Sequence, residues 1–417
     1  MRFPYVLATS LVVAVLLSPP AGKAAQYKLK TLHSFCSIGG CSDGEHPFSG
    51  VLRGPGGAIY GTTIGAGKYD GGVVFKLDAD NYNESVLHNF CKRMDCTDGA
   101  APQADLIMDV DGNLYGTNAS GGNSIDSGVI FKLTHNGNLW MYSVLHTFCK
   151  DLQCNDGSKP TDRLSYSGQS AGTLWNGTSP LFGTTAEGGS ANHGVVYEHV
   201  HDGSQWNFSV IHNFKSSSGY KPTVVDAGGN IFGTVQAGGL YSGGILYKLA
   251  QGTWHETVLH NFCKSANCAD GDGPIGNLFL DADGNVFGTT RQGGTNNFGV
   301  VFEHKAGDDT SVLYNFCSQA DCTDGSRPEG GVVANAAGDL FGTTSAGGDF
   351  GNGTIFEIRA QRLKESVLYS FCSKANCADG SMPGTSVTLD DAGDIFGTAS
   401  NGGGNGDHGL VFELKPL

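Results

Sequence analysis

A Gly-Thr dipeptide that follows two apolar residues recurs seven times along the 417-residue chain. Its glycines are Gly61, Gly116, Gly183, Gly233, Gly288, Gly342 and Gly397, with successive spacings of 55, 67, 50, 55, 54 and 55 residues. Repeats of roughly this length that contain short strands are typical of propellers and solenoids, in which each unit buries its apolar faces only against its neighbours. The chain is therefore predicted to fold as an array of similar units.

Each unit reads as four β-strands. In the fifth unit the pattern predicts strands over residues 276–281, 286–290, 299–304 and 310–316. Asp283-Gly284-Asn285 joins the first two strands, and such pairs are hairpin signals because they tolerate positive φ. A glycine-rich loop over residues 291–298 joins the second strand to the third.

The first and last strands of the chain belong to different positions of the four-strand unit, and together they complete one unit. Residues 27–35 read as a strand of the fourth type, and residues 409–414 read as a strand of the third type. Pairing these two strands would complete the last unit and leave no long exposed sheet edge. We therefore predict an all-β fold in which residues 26–417 form a single seven-bladed β-propeller of four-stranded blades, closed by the N-terminal strand. The 65 glycines suit a chain that turns so often.

Residues 1–25 have the features of a secretory signal peptide. Arg2 precedes an apolar run over residues 6–17, and small residues end at Ala24 and Ala25, where we expect cleavage. The apolar run is too short to span a bilayer comfortably, although an uncleaved anchor is the alternative. We expect a secreted protein, extracellular or periplasmic, without membrane insertion after cleavage.

The twelve cysteines fall into six pairs, and the two members of each pair are separated by four residues. The unit that reads Phe214-Lys215-Ser216 at this place lacks both members, as local bridges predict. An oxidising compartment favours disulfides, whereas zinc or iron–sulfur sites need four ligands each. We therefore predict six disulfides and no metal. The predicted bridges are Cys36–Cys41, Cys91–Cys96, Cys149–Cys154, Cys263–Cys268, Cys317–Cys322 and Cys372–Cys377.

The formal net charge of −15 makes nucleic acid an unfavourable partner, because nucleic-acid affinity comes largely from cationic contacts to phosphates. Anionic polymers should also be repelled unless basic residues cluster locally. The chain contains no nucleophile elbow, phosphate-binding loop, zinc helix or dinucleotide fingerprint in a sensible context, so we expect no cofactor, and its catalytic residues are unknown. We expect a monomer.

Several polar and aromatic residues recur at equivalent positions and are interpreted as structural. Histidines occupy one slot of the fourth strand, the Asp-Gly pairs after the cysteine loops are expected to cap turns, and Asp109-Val110-Asp111-Gly112-Asn113 favours a hairpin turn over a calcium loop. An aromatic register is expected to fill space between blades, although such rings could also stack on sugars. The histidines are His33, His88, His146, His212 and His260, and the aromatic residues are Tyr27, Tyr82, Trp140, Trp206 and Trp254.

Candidate ligand-binding residues are sought where one unit differs from the others. The tips of the glycine-rich loops vary in this way, and the strand order should place them on the same face as the disulfide loops. The candidates are Tyr69, Asp70, Asp126, His193, Arg291, Phe298, Asp349, Phe350 and His408, with Tyr241 and Asp407 beside them.

The repeated segments resemble a known family. The stretches Leu114-Tyr115-Gly116-Thr117, Gly128-Val129-Ile130-Phe131-Lys132-Leu133 and Ser143-Val144-Leu145-His146-Thr147-Phe148 are similar to the GloVer tandem repeat of bacterial exported proteins. The resemblance covers nearly all of the chain after the leader. It implies an extracytoplasmic repeat protein with a propeller-like fold, and it brings no catalytic residues.

Three functions follow as hypotheses. The first is a secreted binding module whose loop face recognises a glycan or an extracellular protein. The second is a polysaccharide-acting lyase or glycoside hydrolase that uses loop-face carboxylates with Arg291 and His193 or His408. The third is a structural or adhesive envelope protein without a small ligand.

Overall fold

The computed structural model describes residues 27–137, 139–151, 153–215, 222–307 and 309–417. The predicted signal peptide lies outside these residues.

Within the described residues, 27 strands form seven antiparallel sheets that we number as blades 1 to 7. The strands are β1 (Tyr27–Ser34) of blade 7; β2 (Leu52–Arg53), β3 (Ile59–Thr63), β4 (Val73–Leu77) and β5 (Glu84–Asn89) of blade 1; β6 (Ile107–Met108), β7 (Leu114–Asn118), β8 (Val129–Asn136) and β9 (Leu139–Thr147) of blade 2; β10 (Leu181–Thr184), β11 (Val195–His201) and β12 (Trp206–Asn213) of blade 3; β13 (Thr223–Val225), β14 (Ile231–Val235), β15 (Ile245–Ala250) and β16 (His255–Asn261) of blade 4; β17 (Asp272–Leu280), β18 (Val286–Gln292), β19 (Val300–His304) and β20 (Thr310–Asn315) of blade 5; β21 (Val333–Ala334), β22 (Leu340–Thr344), β23 (Thr354–Arg359) and β24 (Lys364–Ser370) of blade 6; and β25 (Thr388–Leu389), β26 (Ile395–Ala399) and β27 (Leu410–Pro416) of blade 7.

The helical content of the described chain is limited to short 3-10 turns. None of these segments has the length and apolar character needed to span a bilayer. The turns are Gly39–Cys41, Pro55–Gly57, Met94–Cys96, Gln169–Ala171, Ala266–Cys268, Ala320–Cys322 and Ala375–Cys377.

The ring closes as the sequence predicts. Strand β1 pairs antiparallel with β27, with Tyr27 opposite Pro416 and Ser34 opposite Leu410, so the start of the chain supplies the outer strand of the last blade. The seven-bladed propeller is thereby confirmed. Blade 3 departs from the four-stranded pattern, because its sheet has three strands and Ser165 pairs with Phe182 only through an isolated bridge.

The Gly-Thr repeat has a packing explanation. The glycine lies in the second strand of each blade, directly beneath an aromatic ring of the third strand. A Cβ on Gly288 would lie 2.5 Å from Cζ of Phe302, and the other six glycines meet the equivalent Phe or Tyr ring in the same way. The threonine hydroxyl reaches a neighbouring blade, as in the 2.7 Å hydrogen bond from Thr343 to the carbonyl of Thr385. The dipeptide therefore fits the blade internally and also joins it to the next one.

All six predicted disulfides are present in the structure. Most of the linker between blades 3 and 4, which lacks a cysteine pair, lies outside the described residues. The aromatic register fills space between blades, since Trp140 packs against Tyr60 of blade 1 and Trp206 packs against Tyr115 of blade 2.

The insertion in the third unit also has a structural role. Trp175 is fully buried, and its Nε1 atom donates to Ser179. Its backbone pairs with the inner region of blade 2, accepting from Val110 and donating to Met108. This departure from the repeat therefore packs blade 3 against blade 2.

Candidate binding face

The loop face is defined here by two sets of segments, the loops between second and third strands and the linkers between an outer strand and the next inner strand. The two sets are held together by backbone hydrogen bonds. Gly67 donates to the carbonyl of Cys41 at 3.0 Å, and Gly348 donates to the carbonyl of Cys322 at 2.9 Å. Equivalent bonds hold the other four disulfide loops, with donors Gly122, Gly189, Gly294 and Gly403. The loop tips and the disulfide loops therefore share one face.

Each disulfide loop is anchored by the aspartate that follows it. The Asp98 carboxylate accepts the backbone N–H groups of Lys92 and Arg93, both at 3.1 Å. Asp324 accepts the N–H groups of Ser318 and Gln319 in the same way. The expectation that these aspartates cap turns is confirmed, and Asp43, Asp98, Asp324 and Asp379 are buried.

The repeated histidines complete this anchoring. The aspartate also contacts a side chain at one equivalent position of the preceding outer strand. That side chain is a histidine in four blades and a tyrosine in two. These six contacts are His33–Asp43 at 3.3 Å, His88–Asp98 at 3.4 Å, His146–Asp156 at 3.0 Å, His260–Asp270 at 2.9 Å, Tyr314–Asp324 at 2.7 Å and Tyr369–Asp379 at 2.6 Å. Burial lowers the pKa of His33 and of His88 despite the nearby carboxylates. These residues therefore serve the scaffold.

Exposed apolar side chains are numerous on the loop face. They are Ile38, Phe48, Met94, Ile125, Leu240, Tyr241, Phe298, Phe350 and Met382. Equivalent positions in different blades carry different residues, so the apolar surface is not a repeat feature. Exposed aromatic rings with neighbouring polar groups are typical of recognition surfaces.

Two of the predicted tip residues line a groove in blade 6. Asp349 and Phe350 form one side of a cavity of about 530 Å³, which the outer strand β24 and the disulfide loop residues Gln319 and Thr323 complete. Phe350 is half exposed there. The contribution of Gln319 and Thr323 was not predicted, because nothing in their local sequence marks them.

Other predicted tip residues have local partners. Arg291 forms an ion pair with Glu329 at 2.7 Å, and the ammonium group of Lys68 lies 5.4 Å from the ring of Tyr69. Asp126 accepts the backbone N–H of Gly121, which fixes its own loop. Asp70 and Phe298 are exposed, and His193 is partly exposed. No contact within the described residues joins these three residues to one another.

His408 lies where blade 7 meets the linker that leads into blade 1. Its Nδ1 atom is 2.9 Å from Oε2 of Glu45, and His46 is next to Glu45 in the chain. The Nδ1 atom of His46 is 3.0 Å from the carbonyl oxygen of Ser400. No sequence pattern indicates this cluster, because Glu45 and His408 are 363 positions apart.

The centre of the ring is crossed by a polar network that sequence reasoning missed. Asp105 accepts the side-chain amide of Asn277 at 2.7 Å and the backbone N–H of Gly50 at 2.6 Å. Asn277 also lies 3.2 Å from Oγ of Ser386, and Arg163 donates to the carbonyl of Leu278. The available signal was a recurrent proline, because Gly50, Asp105, Arg163, Asn277 and Ser386 each lie three residues after one.

Comparison with known sequences identifies the repeat. A family model described as the Gloeobacter/Verrucomicrobia repeat matches residues 20–180 and 169–412, which together span nearly the whole chain. No curated protein sequence matches the chain.

Solved structures with similar folds include proteins described as different kinds of enzyme. An oligogalacturonate lyase from Vibrio parahaemolyticus is 10% identical, with 94% of this chain and 97% of that chain covered and a TM-score of 0.54. A putative 6-phosphogluconolactonase from Bacteroides uniformis is 12% identical, with 86% of this chain and 98% of that chain covered and a TM-score of 0.52. At these identities the likeness shows the fold alone.

Proposed function

The chain belongs to the Gloeobacter/Verrucomicrobia repeat family, and we propose that this member is a secreted binding protein whose loop face recognises a neutral glycan. The observation that carries the proposal is the groove of blade 6. There the half-exposed ring of Phe350 lies beside the polar side chains of Asp349, Gln319 and Thr323. An aromatic face flanked by carboxylate, amide and hydroxyl groups can stack on a sugar ring and hydrogen-bond to its hydroxyls.

The groove is held in shape before any ligand arrives. The backbone N–H of Asp349 donates to Oγ of Ser370 at 3.2 Å, and the side chain of Asn352 donates to the carbonyl of Phe350 at 2.8 Å. On the opposite side, the Cys317–Cys322 disulfide closes the loop that carries Gln319. A preformed site loses less conformational entropy on binding, which favours affinity for a small ligand.

The charge of the chain selects among glycans. With a formal net charge of −15, the protein repels polyanionic polysaccharides at long range. Within the groove, the cationic side chain of Lys364 is accompanied by the carboxylate of Asp349, so the lining presents no cationic patch that offsets this repulsion. A neutral oligosaccharide is therefore the preferred class of ligand.

Secretion is part of the proposal and is supported by two features. The sequence of residues 1–25 has the features of a signal peptide, and the six disulfides suit an oxidising compartment. Extracellular glycans are encountered in that compartment.

The test is a glycan array probed with the oxidised protein lacking residues 1–25, with one variant in blade 6 and one in blade 2. Phe350→Ala removes the aromatic ring from the groove. Leu139→Ala is the control, because Leu139 is also an exposed apolar residue but lies at the start of β9 in blade 2, outside the groove. We expect binding to neutral glycans that Phe350→Ala weakens at least tenfold and Leu139→Ala leaves unchanged.

Three results would contradict the proposal. Absence of binding on the array would contradict glycan recognition and would favour a protein ligand. An equal loss of glycan affinity in both variants would show that the groove is not the site. The glycans are recovered after binding, and cleaved products would establish the polysaccharide-acting enzyme instead.

A further inference from the structure

We propose that Glu45, His46 and His408 together bind one divalent transition-metal ion, with Zn²⁺ as the expected ion. The site lies on the loop face, between the linker that enters blade 1 and the loop of blade 7 that precedes β27. It is separate from the groove of blade 6 and does not depend on the proposed glycan binding.

The three side chains are already close enough to share an ion. His408 Nδ1 lies 2.9 Å from Glu45 Oε2, and one potential ligand atom from each of the three residues lies within 4.8 Å of the other two. In a tetrahedral zinc site with bonds of about 2.0–2.2 Å, the ligand atoms are roughly 3.3–3.6 Å apart. Small side-chain rotations therefore bring these atoms into coordination distance.

Hydrogen bonds to backbone carbonyls orient His46 and fix it relative to His408. The backbone N–H of His46 donates to the carbonyl of His408 at 2.8 Å, which fixes the main chains relative to each other. The Nδ1 atom of His46 lies 3.0 Å from the carbonyl of Ser400 and so acts as the donor, which leaves Nε2 with a free lone pair. A histidine that donates its other ring N–H to a carbonyl is the usual arrangement around protein-bound metals.

The donor set points to zinc among common divalent ions. Two imidazole nitrogens and one carboxylate form a known zinc ligand combination, whereas Ca²⁺ and Mg²⁺ prefer oxygen ligands alone. Cys36 and Cys41 lie near His408 but are joined in a disulfide, so they do not offer thiolates. The Asp407 carboxylate is occupied by hydrogen bonds from Gly402 and Asn401.

The site is accessible from solvent. The side chains of His408 and Glu45 are 33% and 27% exposed, so an ion can enter without local unfolding. Three protein ligands leave the fourth tetrahedral position to water or to another small ligand. Glu45 and His46 follow the first strand of the described chain, and His408 precedes its last strand. Metal binding should therefore also hold the ring closed.

The experiment is a titration of metal-free oxidised protein with Zn²⁺ by isothermal calorimetry, together with the visible spectrum of the Co²⁺ form. We expect one equivalent of Zn²⁺ to bind, and intense absorption bands of tetrahedral Co²⁺ to appear. At a free Zn²⁺ concentration of 100 times Kd, the Tm should rise by about 3 °C.

Variants decide which residues hold the ion. His46→Ala and His408→Ala should each weaken Zn²⁺ binding at least tenfold and abolish the Co²⁺ spectrum, and Glu45→Gln should weaken binding while preserving side-chain shape. His193→Ala is the matched control, because His193 precedes Gly194 in blade 3 as His408 precedes Gly409 in blade 7. It should bind Zn²⁺ like the wild type.

The proposal fails if no stoichiometric binding is seen, or if the His46 and His408 variants bind as tightly as the His193 variant. The Tm of each metal-free variant shows that it is folded, so a loss of binding through misfolding is recognised. Because Phe350 is not near this cluster in the chain or among its contacts, Phe350→Ala should retain Zn²⁺ binding even if the glycan proposal is wrong.

Discussion

His212 Nε2 of blade 3 lies 2.8 Å from Oε2 of Glu256, which belongs to the outer strand of blade 4. In the other six blades the equivalent histidine or tyrosine contacts an aspartate of a disulfide loop, as His260 contacts Asp270. The linker after His212 has no cysteine pair, and the neighbouring blade supplies the carboxylate in its place. The histidine of blade 3 therefore keeps a carboxylate partner although its blade is followed by no disulfide loop.

The His212–Glu256 contact should make stability depend on pH. The hydrogen bond from His212 lowers the pKa of Glu256 below its ordinary value of 4.5. Because the folded-state pKa is depressed, the contribution is present above pH 4.5 and is lost as the pH falls through the folded-state value. We expect Glu256→Gln to lower the free energy of unfolding by about 1–2 kcal/mol at pH 7, measured by urea denaturation.

The same comparison at low pH supplies the control. Below the folded-state pKa both proteins carry a neutral side chain at position 256, so their stabilities should converge. A stability difference that persists unchanged at pH 3 would show that Glu256 acts through packing rather than charge.

Glu365 should have the opposite pH dependence. Its side chain is buried against Tyr314 and faces Asp324, with Lys364 next to it in the chain, and burial followed by the Asp324 charge raises its pKa to about 8. The folded state therefore holds a proton that the unfolded state releases above about pH 4.5, so stability falls between pH 4.5 and pH 8. We expect Glu365→Gln to be more stable than the wild type by more than about 1 kcal/mol at pH 8.5.

This prediction is checked by thermal denaturation at pH 4.5 and pH 8.5. The gain in Tm should be present at the higher pH and nearly absent at the lower one. Glu187→Gln is the control, because the Glu187 side chain is 49% exposed and should give no gain at either pH. Equal gains at both pH values would contradict a buried, protonated Glu365.

The Cys317–Cys322 disulfide should affect both stability and ligand binding. Closing so short a loop contributes about 2 kcal/mol by the loop-entropy estimate, so the Cys317→Ser/Cys322→Ser variant should lose about that much. The same loop carries Gln319 and Thr323 of the groove, so glycan affinity should fall as well. The Cys91→Ser/Cys96→Ser variant should lose similar stability but keep its affinity, since that loop belongs to blade 2. Loss of affinity in both variants would contradict a local effect.

Most of the fold could be predicted from the sequence because each blade repeats the same local pattern of strand and turn residues. In blade 5 the predicted strand over residues 286–290 compares with Val286–Gln292, and that over 299–304 compares with Val300–His304. The inner strand was the exception. It was predicted at residues 276–281 but spans Asp272–Leu280, and its pairing is interrupted between Ile275 and Phe279, where Asn277 reaches the ring centre.

The site was less predictable for a related reason. Loop tips such as Phe350 could be picked out because they differ between units, but their neighbours come from distant segments. Gln319 reaches the groove from another loop, and Glu45 meets His408 across the ring closure. These contacts depend on how blades are placed around the ring, and no local spacing encodes that placement.

The Gly-Thr step gives a prediction about packing. Gly288→Ala would place a methyl group 2.5 Å from the Phe302 ring, which cannot move away in a close-packed blade. We expect a loss of about 1–3 kcal/mol in the free energy of unfolding. Gly39→Ala is the control, because a Cβ there meets no atom within 4 Å. The double variant Gly288→Ala/Phe302→Leu should recover part of the loss, and additive losses would contradict the proposed clash.

Asn277 should stabilise the ring through contacts with distant blades. Its amide group donates to Asp105 of the segment that leads into blade 2 and lies 3.2 Å from Oγ of Ser386 in the segment that leads into blade 7. Asn277→Ala leaves the Asp105 carboxylate without this donor, which should cost about 2–3 kcal/mol in urea denaturation. Asn277→Asp should be at least as damaging, because it places a second carboxylate beside Asp105. The exposed Asn81→Ala variant should change stability by less than about 0.5 kcal/mol. If Asn277→Ala behaves like that control, the network at the ring centre contributes little, and the blades are held together by their apolar contacts alone.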